Sequence, residues 1–140
     1  MNKVKIIVAT HKKYKMPDDE LYLPVQVGSE GKENLGYQVD NNGENISNKN
    51  STFCELTGLY WAWKNLDADY IGLCHYRRHF TCKKLIPFSE DTKFKILLNK
   101  KQTEEILKDT DIILPKKREY YIVEWMDKDI HGQWNIWALL

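Results

Sequence analysis

Two short apolar runs in this chain each end in basic side chains, and this pairing restricts the fold more than any other feature. The first run is Val4–Thr10, which is rich in β-branched residues and leads into His11 and Lys12. The second covers residues 70–74 and leads into the sequence HYRRH at residues 75–79. Such runs are typical of parallel strands covered on both faces. Open α/β sheets bind ligands beyond the carboxyl ends of their strands, so both basic clusters lie where a small molecule is expected.

The order of the remaining elements predicts an α/β fold with a mostly parallel sheet flanked by helices. The sequence TFCE at residues 52–55 has the pattern of a capping box, and apolar residues follow it at helical spacing, so one largely buried helix is predicted over residues 52–65. A surface helix is predicted over residues 102–108, and a third strand of the same sheet over residues 111–114.

The chain between the first strand and the first helix is less regular. Residues 21–27 alternate like a strand, but Pro24 restricts them to a sheet edge or an extended loop. Residues 28–50 are rich in glycine, asparagine, serine and charge, which predicts a long loop of the kind that is usually functional or disordered. Asp40 in this loop is a candidate to bind ribose hydroxyls, and a plain turn-rich loop is the alternative.

Length and charge limit the class of protein. The 140 residues fit one modest domain, and a net charge of +1 gives no global field that would favour nucleic acid. The spelling His-x-x-Arg-His at residues 75–79 also occurs in tyrosine recombinases, with Tyr120 or Tyr121 as nucleophile, but there it lies on helices of a strongly basic domain. We predict no transmembrane segment and no signal peptide, and therefore a cytoplasmic protein, with a peripheral position at the inner face of the membrane left open.

The cysteines give little guidance. Cys54, Cys74 and Cys82 form neither a disulfide framework nor a C-x-x-C pair. Cys74 and Cys82 could be combined with His75 and His79 into a zinc site, but the spacing matches no common structural zinc pattern. A buried thiol and free histidines are the favoured interpretation.

Arginine forks match the oxygens of phosphate and carboxylate, so the basic strand ends predict an anionic and first of all a phosphorylated ligand. The alternatives are that Arg77 and Arg78 are solvated cations paired with carboxylates and that His75 is a packed histidine. Because strand residues alternate in facing, at most one arginine is expected to face the ligand. Glu55 is predicted to be a helix cap rather than a base. The candidate residues to bind this ligand are Thr10, His11, Lys12, Asp40, His75, Arg77 and Arg78.

Several blocks of sequence together resemble the bacterial family first catalogued as domain of unknown function 4422. They are THK (10–12), NISNKN (45–50), CELTGLYWAWKN (54–65), GLCHYRR (72–78) and DIILPKK (111–117). Members look like glycosyltransferases of capsular polysaccharide, exopolysaccharide or lipopolysaccharide synthesis. The resemblance implies a GT-A-like, Rossmann-like fold, a nucleoside diphosphate sugar as donor, and a glycan or lipid-linked glycan as acceptor.

The resemblance also implies a division of the chain. Residues 1–118 resemble the N-terminal part of such a glycosyltransferase domain, whereas residues 119–140 depart from the family pattern and form an apolar tail through which the chain could form an oligomer. An incomplete domain is therefore expected. The alternative function is a non-catalytic nucleotide-binding remnant or interaction module.

A divalent metal is not favoured at this site. The GT-A enzymes that the family resembles usually place an Asp-x-Asp metal motif after a central strand, but here that place holds His75, Arg77 and Arg78. Two guanidinium groups would repel a divalent cation while attracting a diphosphate. Asp67 and Asp69 have the right spelling but precede the strand, so a role in the turn is predicted. The sequence requires no cofactor, and Mn²⁺ or Mg²⁺ remains an alternative.

Overall fold

The computed structural model describes residues 3–83 and 89–116, which form a four-stranded sheet covered by helices. The strand order is β3-β2-β1-β4 and every pair of neighbours is parallel, so the predicted fold class is confirmed. The strands are β1 (Val4–Thr10), β2 (Tyr22–Gln26), β3 (Gln38–Val39) and β4 (Tyr70–His75). The helices are α1 (Asn50–Phe53), α2 (Leu56–Asn65), α3 (Glu90–Lys95) and α4 (Lys100–Ile106), with a 3₁₀ turn at Ser47–Lys49.

The alternating side chains of the central strand β1 divide the core into two clusters. Ile6 and Val8 lie on one face of the sheet and pack with Tyr22 of β2. Ile7 and Ala9 lie on the other face, which α2 covers. Burial of an aliphatic side chain of this size contributes about 1.5–3 kcal/mol, so a strand with both faces covered has to be apolar at every position.

The helix predicted over residues 52–65 is two helices. Cys54 separates α1 from α2 and has φ 48° and ψ −126°, a backbone conformation that L-residues rarely adopt. No side-chain cap hydrogen bond forms at the start of either α1 or α2, so the predicted capping box of Thr52 and Glu55 is wrong. The residue pattern of a capping box is present, but the helix is interrupted at Cys54, between the two residues that would form the box.

The helix α2 is buried on one side only, whereas a largely buried helix was predicted. Trp61 and Ala62 belong to the core, but Leu56 and Trp63 are 50% and 63% exposed. The buried side lies close to the sheet because Gly58 has no side chain. A Cβ atom there would lie 2.7 Å from Cγ1 of Val27.

The two later predictions have opposite outcomes. The predicted surface helix is confirmed as α4, which begins with a capping box between Asn99 and Gln102. The third strand predicted over residues 111–114 is wrong, because these residues form no strand and Ile112 and Leu114 are 71% and 78% exposed. A run of three apolar residues is compatible with a strand, but packing decides whether one forms.

Pro24 lies inside β2, opposite Val8 of β1. The short strand β3 pairs with β2 only at Val25 and Gln26. On the side away from β1, Pro24 therefore has no described strand beside it, as predicted for an edge position. The last two residues of β2 lie between β1 and β3.

Residues 28–50 contain more structure than the predicted long loop, since β3 and the 3₁₀ turn both lie within them. The predicted boundary at residue 118 and the apolar tail at residues 119–140 lie outside the described residues. Within the described part of the chain, no helix is both long and apolar enough to cross a membrane.

Candidate functional site

The two basic strand ends meet at one edge of the sheet. Ala9 of β1 is the register partner of His75 of β4, and the backbone N–H of Tyr76 donates to the Ala9 carbonyl at 3.1 Å. The backbone N–H of Arg78 donates to the His75 carbonyl at 2.8 Å. Residues 75–78 therefore form a tight turn directly beside the end of β1, and the convergence expected from the sequence is present.

The ring of Tyr76 is the centre of this edge. It is only 2% exposed and packs against the imidazole of His75, with ring centroids 4.1 Å apart, and against the edge of His11 at 5.5 Å. The ammonium of Lys12 lies 5.4 Å from the ring centre, and the guanidinium carbon of Arg77 lies 5.3 Å from it. The electron-rich face of an aromatic ring attracts cations, so Tyr76 holds basic groups together that would otherwise repel one another.

Both arginines are exposed and have no carboxylate partner among the described residues. The alternative that Arg77 and Arg78 pair with carboxylates therefore receives no support from this part of the chain. Because both residues lie on the turn and not on the strand, the expected alternation of strand facing does not apply to them. Arg77 approaches Tyr76, whereas the N–H of Arg78 closes the turn.

His75 lies between the basic groups and one carboxylate. Its Nε2 is 3.7 Å from Oε1 of Glu55, and its Nδ1 accepts a hydrogen bond from the backbone N–H of Arg77 at 3.3 Å. Burial lowers the pKa of His75, Glu55 opposes this, and the neighbouring side chains of Arg77, Arg78 and His11 lower the pKa further. The two ring nitrogens therefore differ, because Nδ1 accepts from the turn and Nε2 faces Glu55.

Thr10 is buried and shapes the end of β1 instead of facing solvent. Its hydroxyl donates to the carbonyl of Lys12 at 2.6 Å and accepts from the N–H of Lys12 at 3.2 Å. This local turn directs the chain at Lys12. The donor contact predicted for Thr10 is therefore replaced by a positioning role, while His11 and Lys12 are exposed beside it.

Asp40 is fully buried, and both of its carboxylate oxygens are occupied. They accept hydrogen bonds from side-chain and backbone groups of three elements at 2.6–3.0 Å. Burial raises the pKa of Asp40, but these hydrogen bonds outweigh it and hold the pKa below its ordinary value. A ribose would have to break them, so the ribose contact predicted for Asp40 is not part of the site. The donors are the backbone N–H groups of Gly28 and Ser29 and the hydroxyls of Ser29, Ser47 and Thr57.

His79 and Cys74 lie in the core and not on the exposed part of the basic edge, the name used here for the group of His11, Lys12, His75, Arg77 and Arg78 around Tyr76. His79 is 4% exposed, neither of its ring nitrogens has a partner in the described part of the chain, and its ring packs on Tyr22 and Phe94. Burial lowers the pKa of His79 to about 4 and raises the pKa of the Cys74 thiol to about 12. Among the described residues no group of three histidine, cysteine or acidic side chains is arranged to hold a metal ion.

The donor set at the basic edge does not fit Mg²⁺ or Mn²⁺. These ions take mainly oxygen ligands, and Glu55 supplies the one carboxylate found beside His75, with Arg77 and Arg78 nearby. Asp67 and Asp69 lie at the opposite edge of the sheet, where both contact Lys3. Their predicted role in the turn agrees with these contacts.

An apolar cavity of about 210 Å³ lies elsewhere, between β4 and α4. Its lining includes Val4, Tyr70 and Leu107 and contains no basic side chain. This cavity offers an anion no cationic partner, whereas the solvent-facing edge around Tyr76 does, and this edge is the candidate site.

Comparison with known proteins agrees with this architecture. The family described as domain of unknown function DUF4422 matches residues 5–135. The chain belongs to this family. The DUF4422 match continues past residue 118, and the division of the chain at that position remains a prediction. No curated protein sequence matches the chain.

A solved structure, the WbbM bifunctional glycosyltransferase in its apo form, is similar to this DUF4422 chain with a TM-score of 0.70 and 34% sequence identity. The similarity covers 82% of this chain but only 23% of the WbbM chain. The shared part is therefore a minor fraction of the larger protein.

Sequence reasoning missed two residues of the site in this DUF4422 domain. Tyr76 is part of the sequence HYRR, but the sequence does not show that its ring is the centre of the site. Its burial and its contacts with His11, Lys12, His75 and Arg77 show this. Glu55 was assigned to a cap that does not form. Its spacing of 20 residues from His75 gives no local signal, since the contact depends on how α2 packs on β4.

Proposed function

We propose that this chain binds a nucleoside diphosphate sugar at the basic edge and takes part in glycosyl transfer to a glycan or lipid-linked glycan acceptor. The observation that carries the proposal is the group of basic side chains around Tyr76, where the carboxyl ends of β1 and β4 meet. Parallel sheets bind ligands at this edge, and exposed cations without carboxylate partners suit a diphosphate. The DUF4422 family and the likeness to WbbM support the same class of reaction.

The chemistry needs these cations. In the transfer step an acceptor hydroxyl oxygen bonds to the anomeric carbon and loses its proton to a base, while the bond from that carbon to the phosphate oxygen breaks. The electron pair leaves with the diphosphate, on which negative charge develops. Lys12 and Arg77, which lie beside the Tyr76 ring, would stabilise that charge in this proposal. By family resemblance the product belongs to capsular polysaccharide, exopolysaccharide or lipopolysaccharide.

Calorimetric titration with UDP, GDP and their hexose derivatives tests the binding step. We expect Lys12→Ala to weaken diphosphate binding about tenfold, as for the loss of a charge-assisted hydrogen bond. Lys101→Ala is the matched control, because this exposed lysine lies on α4, outside the basic edge. Equal effects of the two substitutions, or no binding at millimolar concentration, would reject the proposal.

A donor hydrolysis assay separates transfer from binding alone. Release of nucleoside diphosphate by the chain supports a catalytic role. Binding without release favours the alternative, a nucleotide-binding module whose turnover needs residues outside the part of WbbM that this chain matches.

A further inference from the structure

Glu55 is the one carboxylate that the described structure brings into the basic edge. Its Oε1 lies 3.7 Å from Nε2 of His75, and the cations that act on His75 are the guanidinium groups of Arg77 and Arg78. The Glu55 side chain is 43% exposed, so a ligand can reach it. A diphosphate would be repelled by this carboxylate and attracted by the two guanidinium groups.

Among the described residues, no hydrogen bond of the Glu55 carboxylate explains its place. Glu55 precedes α2, but its side chain makes no cap hydrogen bond, and its distance to His75 is too long for a hydrogen bond within the protein. Most of its hydrogen-bonding capacity is therefore available to a ligand.

The backbone beside Glu55 is strained, and the strain is held by neighbouring side chains. Cys54 has φ 48° and ψ −126°, a conformation that non-glycine residues rarely adopt. The side-chain amide of Asn50 donates to the Cys54 carbonyl at 2.7 Å and to the Thr57 hydroxyl at 3.0 Å. The Thr57 hydroxyl donates in turn to the buried Asp40 at 2.7 Å. Strain that is held in this way is typical of functional sites, so the turn gives Glu55 a fixed place.

The ligand group that suits an ionised carboxylate beside cations is a neutral donor. The hydroxyls of a hexose are such donors, and in a nucleoside diphosphate sugar the hexose that carries them is joined through its anomeric carbon to the diphosphate that the cations would bind. We propose that Glu55 accepts a hydrogen bond from a hydroxyl of the transferred sugar and so determines which sugar the site accepts. This inference rests on the proposed function and adds the sugar-binding residue to it.

The decisive quantity is the ratio of two dissociation constants, that of a nucleoside diphosphate and that of its sugar. It is measured by calorimetry on the whole chain with UDP, UDP-glucose, UDP-galactose, GDP and GDP-mannose. For the sugar nucleotide that binds best, we expect Glu55→Ala to reduce its preference over the corresponding diphosphate by about tenfold. Binding of the diphosphate alone should stay the same or become tighter. Glu55→Gln should give a smaller loss, because its amide oxygen still accepts a hydrogen bond.

Glu20→Ala is the matched control. Glu20 is an exposed glutamate at the opposite edge of the sheet, where it pairs with Lys100, so its loss changes the net charge equally. A ratio that is unchanged in Glu55→Ala, or reduced equally in Glu20→Ala, overturns the role of Glu55 while leaving diphosphate binding intact. Absence of binding by every diphosphate rejects the proposed function and this inference together.

Discussion

The guanidinium carbon of Arg77 lies 5.3 Å from the centre of the Tyr76 ring, which keeps this arginine beside Lys12 and His75. Arg78 is the next residue, but it contributes its backbone N–H to the turn. We therefore expect Arg77→Ala to weaken diphosphate binding by tenfold to a hundredfold and Arg78→Ala to change it little. Calorimetry on both variants, each checked for folding by circular dichroism, measures the difference, and a larger loss in Arg78→Ala would refute this assignment.

The Tyr76 ring should matter more than its hydroxyl. Tyr76→Phe keeps the aromatic face that the basic groups surround, so both stability and anion binding should stay close to those of the wild type. Tyr76→Ala leaves a cavity in a buried position and should lower the free energy of unfolding by about 3–5 kcal/mol. Urea denaturation of both variants gives the free energies, and equal losses would mean that the ring has no special role.

Asp40 should be the most sensitive polar residue of residues 28–50. In Asp40→Asn one carboxylate oxygen becomes an NH₂ group that faces donors instead of accepting from them, so we expect a loss of about 2–4 kcal/mol in the free energy of unfolding. Asp18→Asn, at an exposed position, should stay within about 0.5 kcal/mol of the wild type. Similar urea midpoints for the two variants would contradict the structural role of Asp40.

The buried His79 should make stability depend on pH. The unfolded chain takes up a proton at this residue near its ordinary pKa of 6.5, whereas the folded chain does so only near pH 4. Between these values the unfolded state binds more protons, so stability is complete above about pH 6.5 and falls towards pH 4 by on the order of 3 kcal/mol. Thermal or urea unfolding across this range should show a smaller fall in His79→Phe than in the wild type, and an equal fall would contradict this role of His79.

The strained turn at Cys54 gives a backbone prediction. Glycine adopts φ 48° without steric cost, so Cys54→Gly should keep or raise stability by about 1 kcal/mol, whereas the β-branched Cys54→Val should lower it. Denaturation midpoints measure both effects. If Cys54→Val were as stable as the wild type, the turn would not be under strain.

The parallel core was predictable because its signals are local. The run Val4–Thr10 is apolar at four consecutive buried positions, and this pattern alone indicates a strand covered on both faces. The basic residues after it and after β4 could be placed at one edge because parallel strands end at the same side of a sheet. Prediction therefore found His11, Lys12, His75, Arg77 and Arg78 together.

The incorrect predictions depend on contacts between distant residues. The break at Cys54 depends on Asn50 and on the buried Asp40, which no pattern within residues 52–65 reveals. Asp40 looked like a ligand-binding residue because the hydroxyls that surround it come from separate parts of the chain. For residues 111–114, strand propensity gave no information on whether a neighbouring strand was available.

The position of Pro24 limits how the sheet can grow. The N–H of Ile6 donates to the Leu21 carbonyl and the N–H of Val27 donates to the Thr10 carbonyl. The backbone N–H and C=O groups of odd-numbered residues along β2 therefore point towards β1, and those of even-numbered residues point away from it. The donor that proline lacks would therefore have pointed away from β1, and its loss costs the sheet nothing. Beyond the two residues that pair with β3, the outer side of β2 cannot form a continuous ladder with an arriving strand, and this part of the sheet is thereby less open to edge-to-edge aggregation.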